Sequence, residues 1–128
     1  MKIKRKIFEV EASDWPVFCQ RISEEQSGAT VNVEVTKLDE VPGQSIISAS
    51  FESMVYNATG ACSNVITLRF RDGKEIVHEI LDPIHIQLKP SEAIGDFNPL
   101  EIRAENGLTT ITFHPAIHGQ MLVGLRVA

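Results

Sequence analysis

The 128-residue sequence predicts a mainly β domain (α+β), with one N-terminal helix, about residues 14–26, packed on a twisted antiparallel sheet that closes into a small barrel. Three observations carry that prediction. Apolar residues recur at helical spacing in one N-terminal segment. After it, apolar and polar residues alternate, the period of a half-buried strand. Short turn signals separate the alternating runs. A sheet of about eight such strands has to cover its apolar face, and a two-sheet sandwich is the alternative way to do so.

Residues 2–11 read as a strand with Ile3, Ile7, Phe8 and Val10 as its apolar content. In "SDWPVFCQRISEEQSG", Trp15, Phe18, Cys19 and Ile22 fall at i, i+3, i+4 and i+7 and form one apolar stripe. Ser13 or Asp14 is expected to cap the helix, because a short oxygen-bearing side chain accepts from free first-turn N–H groups. Pro16 is tolerated there for want of an intrahelical partner. Gly28 suits the left-handed residue that ends a helix.

The strands follow. "TVNVEVT" sets Val31, Val33 and Val35 on one face, and "VPGQ" at 41–44 is a turn signal. In 45–56 the inward residues are expected to be Ile47, Ala49, Phe51 and Val55, and "NATGACSN" at 57–64 reads as a loop. Residues 65–80 form a hairpin about Asp72-Gly73. Side-chain parity rejects a two-residue turn, which would put the two apolar sets on opposite faces. A three-residue loop with Gly73 at a positive-φ bulge pairs Phe70 with Lys74, Leu68 with Ile76 and Ile66 with His78. Asp82-Pro83 marks a corner or an edge, because Pro83 brings no N–H. "IHIQLK" places Ile84, Ile86 and Leu88 inward, and 90–99 reads as the longest irregular loop. Asn106-Gly107 suits a two-residue type I′ turn that pairs Leu100 with Phe113 and Ile102 with Ile111. A final strand would place Met121, Val123, Leu125 and Val127 on one side.

Length and composition bound the function. The chain suits a single domain, 1–128, large enough to hold its own core without a disulfide or metal. Apolar residues make up 43% and charged residues 23%, an ordinary balance for a globular protein. No apolar run approaches the ~18 residues of a membrane span, and "MKIKRKIFEV" lacks the apolar core of a signal peptide. Two cysteines without a framework point to the reducing cytoplasm. With a net charge of −5 and one basic cluster (Lys2, Lys4, Arg5, Lys6), the chain lacks the positive face that nucleic acid requires.

Candidates for chemistry are few. His78 shares a face with Ile76 and Ile80, and the expectation is a partly buried ring bonded to a backbone group. A metal or catalytic site would combine His78 with His114 or Cys62, yet no strand arrangement brings His78, His85, His114 and His118 together, so neither metal nor cofactor is expected. No nucleophile elbow, phosphate-binding glycine loop or CxxC pair is present. The two long loops are the places for binding. Phe97, beside Ile94, is the binding candidate in the second, although apolar loop residues more often fold back on the core.

The segments "DWPVFCQRISEEQSG", "TVNVEV", "VITLRF", "HEILDPIHIQL" and "LEIRAENGLTTITF" together resemble a family of small uncharacterised bacterial proteins, a domain of unknown function. The resemblance covers about residues 8–114 and consists of fold features. It implies a bacterial origin, with no activity and no site residues to carry over. The functional expectation is therefore a non-enzymatic β module that binds an unknown protein partner or self-associates into a homo-oligomer through edge strands at the chain ends. The alternative is an enzyme or metal protein built on His78.

Overall fold

The computed structural model describes residues 6–37, 45–59, 63–105 and 107–126. The expected helix is present: α1 (Trp15–Gln26) follows a 3₁₀ turn at Ala12–Asp14 and buries Trp15, Phe18, Cys19, Ile22 and Gln26. Phe18 and Ile22 lose all contact with solvent, worth about 1.5–3 kcal/mol each. Neither Ser13 nor Asp14 caps α1. The Asp14 carboxylate is taken instead by the chain's far end, where Oδ2 accepts from the Arg126 N–H at 2.8 Å. Gly28 ends the helix region with φ +88°.

The strands are β1 (Phe8–Glu9), β2 (Thr30–Lys37), β3 (Ser45–Thr59), β4 (Ser63–Asp72), β5 (Lys74–Leu81), β6 (Pro83–Pro90), β7 (Asp96–Ala104), β8 (Gly107–His114) and β9 (Ile117–His118). All pair antiparallel in one sheet of order β1-β6-β7-β8-β2-β3-β4-β5, with β9 on β7. The sheet wraps a single core that takes Val31 and Val33 from β2, Phe51 from β3, Leu68 and Phe70 from β4, Ile86 and Leu88 from β6, and Ile111 and Phe113 from β8.

Neither expected closure is found. The described strands form one sheet, so there is no two-sheet sandwich, and no ladder joins β5 to β6 or β1, so the barrel does not close. The cause lies at Asp82. Asp82 alone separates β5 from β6, and these two strands form no ladder with each other. Asp82 adopts φ +50° and donates its N–H to Asn64 O at 2.8 Å, and Pro83 supplies no donor. The chain therefore turns a corner there, leaving the ladder with β4 and joining the ladder with β7.

Both long hairpins keep the expected side-chain parity, but each pairing is shifted by two residues. At the first, Asp72 pairs with Lys74, Phe70 with Ile76, Leu68 with His78 and Ile66 with Ile80. Gly73, at φ +77°, alone makes the tip. At the second, Ala104 pairs with Gly107, Ile102 with Thr109 and Leu100 with Ile111. Gly107 is needed for room rather than for a positive φ. It lies opposite Lys37, and a Cβ there would sit 2.4 Å from Thr36 O.

Other departures have local causes. A bulge between Phe51 and Ser53 reverses the alternation in β3, so Met54 is buried and Val55 exposed. Residues 57–59 and 63–64 belong to β3 and β4 rather than to a loop. A bulge between Pro83 and His85 turns Ile84 outward. The irregular loop after β6 shrinks to 91–95. At Pro99, preceded by a cis peptide bond, β7 lacks an N–H. Beside it the Asn98 side chain donates to Phe113 O at 2.8 Å and accepts from Phe113 N–H at 2.9 Å, standing in for a backbone partner.

The expected last strand is absent from the described residues. The chain after β9 forms a 3₁₀ turn at Gly119–Leu122, and Val123 is exposed. Arg21 of α1 holds this tail by donating to Met121 O at 2.9 Å and to Val123 O at 2.6 Å. Position 127 and the expected turn at 41–44 lie outside the described residues.

Candidate binding groove along the β5 edge

β2 and β8 run side by side from the Thr30–His114 pair to the Lys37–Gly107 pair. α1 lies at the first end, where Gln26 Nε2 donates to Pro115 O at 2.9 Å. At the other end a groove of about 430 Å³ opens, lined by Val35, Lys37, His78–Leu81, Ala104 and Gly107–Thr109. Consecutive residues of β5 from both faces line it, with His78 and Ile80 pointing inward and Glu79 and Leu81 outward. The groove therefore follows the strand's backbone edge rather than one of its faces.

Which backbone groups line that edge follows from the ladder. Asp82 donates to Asn64 O directly opposite, so Asp82 belongs to a hydrogen-bonded pair. Such pairs recur every second residue in an antiparallel ladder, which makes Ile80, His78, Ile76 and Lys74 the residues bonded to β4. The N–H and C=O groups of Glu75, Val77, Glu79 and Leu81 then point away from β4. Among the described residues β5 is laddered to β4 alone. The outward side chains along this edge include Val77, 47% exposed, and Leu81, 61% exposed.

His78 is half-buried, with Nε2 3.4 Å from Thr109 Oγ1; which of the two donates depends on the ring tautomer. Burial, with the charge of nearby Lys37, lowers its pKa, so the ring is neutral at pH 7. Its polar partner is a side chain across the core rather than a backbone group. Thr109 is buried in turn, and no buried side-chain polar atom among the described residues lacks a partner.

The other candidates among the described residues do not assemble around His78. His114 is exposed at the α1 end of β8, five positions along from Thr109. Cys62 lies outside the described residues. Phe97 is half-buried and packs edge-on against Phe8, with ring centroids 6.3 Å apart, so it folds back on the sheet while Ile94 stays 81% exposed. His85 pairs with Glu9 at 3.0 Å and His118 with Asp96 at 2.8 Å, each at its own place on the surface. Hydrogen bonds from Gln87 and His85 hold the Glu9 carboxyl below its usual pKa. No group of three or more His, Cys, Asp or Glu suited to a metal occurs among the described residues. Cys19 is buried, and burial pushes its thiol up to about 12, far from thiolate reactivity.

Sequence reasoning missed Lys37, Thr109 and Leu81 as groove residues, and missed the β5 edge itself. A signal was present: Val77 and Leu81 are apolar residues on the face opposite His78, an unusual composition for a solvent-facing row. No helix among the described residues is long and apolar enough to cross a membrane. Comparison with protein-family models, with curated proteins and with solved structures returned no match to this chain.

Proposed function

We propose that this chain is a non-enzymatic β module of the bacterial cytoplasm that binds polypeptide, another chain or its own copy, by adding a strand to the β5 edge. One observation carries this reading: β5 is laddered on one side only among the described residues, and its edge from His78 to Leu81 borders an open groove. Strand addition draws affinity from main-chain hydrogen bonds and specificity from alternate side chains, and β5 offers both.

The opposite edge is poorly suited to the same role. β6 is covered by two-residue β1, and its own pairing with β7 is interrupted near Pro83 and again near Pro90. Bulges, prolines and short strands are the usual means of blunting an edge. The chain-end strands expected to associate are therefore replaced in this reading by a strand from the middle of the chain. Among the described residues, no cluster around His78 supports the enzyme and metal alternative. Nucleic acid is disfavoured by the net charge of −5. Of the N-terminal basic cluster, only Lys6 lies among the described residues.

The test compares native mass spectra of wild type and Val77→Pro, each purified from its host. Proline at 77 removes an N–H that points away from β4, so the native ladder is retained while the edge is blocked. Wild type is expected to carry a polypeptide partner that the variant lacks. Equal retention by both, or a bound metal or small molecule in place of a polypeptide, would refute the reading.

A further inference from the structure

We infer that the occupant of the β5 edge is a second copy of this chain, paired β5 to β5 about a two-fold axis through His78; this rests on the reading of β5 as a docking edge. An antiparallel self-pairing is defined by the residue on its axis, and β5's own charges choose among the possibilities. Centring on Val77 sets Glu75 opposite Glu79 twice. Centring on Glu79 sets that carboxylate against its own copy. Like charges directly opposite destabilise a strand pair. Centring on His78 avoids both: Glu75 faces Leu81, Val77 faces Glu79, Ile76 faces Ile80, and Lys74 faces Asp82 as an opposite-charge pair at each end.

The same centring gives the longest overlap, using every residue from the Gly73 tip to the Asp82 corner. The edge-facing residues Glu75, Val77, Glu79 and Leu81 then meet one another's copies and exchange about eight ladder bonds. The His78 rings meet across the axis as a non-hydrogen-bonded pair, the kind with the closest side chains. On the inward face, Ile76 packs against the core and Ile80 is buried, so the Ile76–Ile80 contacts join the two cores along one continuous sheet. The groove borders His78–Leu81, so in this pairing it lies where residues 75–78 of the second copy run, at the usual ~4.8 Å strand spacing.

Site-directed cross-linking in the full chain reads the register. In a Cys62→Ser background, with buried Cys19 left as it is, His78→Cys is expected to form a disulfide-linked dimer under mild oxidation. The two Cα atoms at position 78 lie about 4.5 Å apart in this pairing, within disulfide reach. Val77→Cys and Glu79→Cys are each offset by two residues from their copies, beyond the ~7 Å limit, and are expected to remain uncross-linked. Because His78→Cys also removes the Thr109 contact, amide exchange on wild type provides the second readout. With rising protein concentration the amides of Glu75, Val77, Glu79 and Leu81 are expected to gain protection, and Val77→Pro to stay monomeric. Preferential cross-linking at 77 or 79 would overturn the register. A monomer at all concentrations whose edge amides are protected by a different co-purified polypeptide would overturn the second copy and keep the docking edge. Freely exchanging edge amides in every preparation would overturn both.

Discussion

The two ends of the β2–β8 ladder are finished in different ways. At the Thr30–His114 end, side chains reach across to backbone and close the structure. Trp15 Nε1 donates to Val10 O at 3.0 Å and its ring meets Tyr56 edge-on. Ser23 Oγ accepts from Met54 N–H at 2.9 Å, just past the β3 bulge. Arg21 and Asp14 pin the tail. At the Lys37–Gly107 end, among the described residues, nothing comparable crosses the groove except the His78–Thr109 contact at 3.4 Å. One end thus holds the fold together, and the other leaves a strand edge open, as a binding element requires.

Substitutions at the two ends should separate stability from association. The largest stability effect is expected at the closed end, where Phe18→Ala removes a fully buried ring and should cost about 3–5 kcal/mol in urea denaturation. Val77→Ala at the open end should stay within about 0.5 kcal/mol while weakening association. A large loss of stability from Val77→Ala would break the distinction.

Gly107→Ala comes next. Its Cβ would press on the backbone of β2, which cannot yield as a side-chain end can, and should cost about 1–3 kcal/mol. An effect near zero would mean that β2 and β8 separate easily at the groove end.

Acid titration gives a smaller effect. The folded pKa of His78 lies below its ordinary 6.5, so the unfolded chain binds this proton more readily. Stability is therefore unaffected by this group at high pH and falls as pH drops below about 6.5 towards the folded value. His78→Gln should flatten that part of the stability–pH curve. The remaining acid dependence has another source in Glu9, whose lowered pKa contributes stability above about 4.5 that is lost at lower pH. The smallest change is expected for Asp14→Asn. The Arg126 hydrogen bonds hold the Asp14 carboxyl below its usual pKa and join the tail to the start of α1, so the loss should appear as faster proteolysis of the tail with little shift of the main transition.

The two hairpins show how far alternation can be read. Around Gly73 and Gly107 the faces of all the strand residues follow from the sequence, yet both pairings are shifted by two. A shift of two leaves every side chain on its expected face, so apolar patterning does not register it. A shift of one would have been detected at once. Val55 and Ile84 were misassigned for a related reason: a bulge changes parity within a strand, and neither carries a glycine to announce it. The tail reads as a strand because Met121, Val123 and Leu125 alternate, while the contacts that curl it come from Arg21, a hundred residues away in sequence. Of the site, only His78 was legible. The β5 edge is a property of which strands lie side by side, and strand order leaves no mark on local composition.

The helix, its buried stripe, the parity of the β4–β5 and β7–β8 hairpins and the break at Asp82-Pro83 are written in the residues themselves, because each depends on neighbours within a few positions. The register, the unclosed seam and the uncovered edge of β5 emerge only once the strands are assembled. Those depend on backbone groups meeting across the sheet, where every residue offers the same N–H and C=O whatever its side chain.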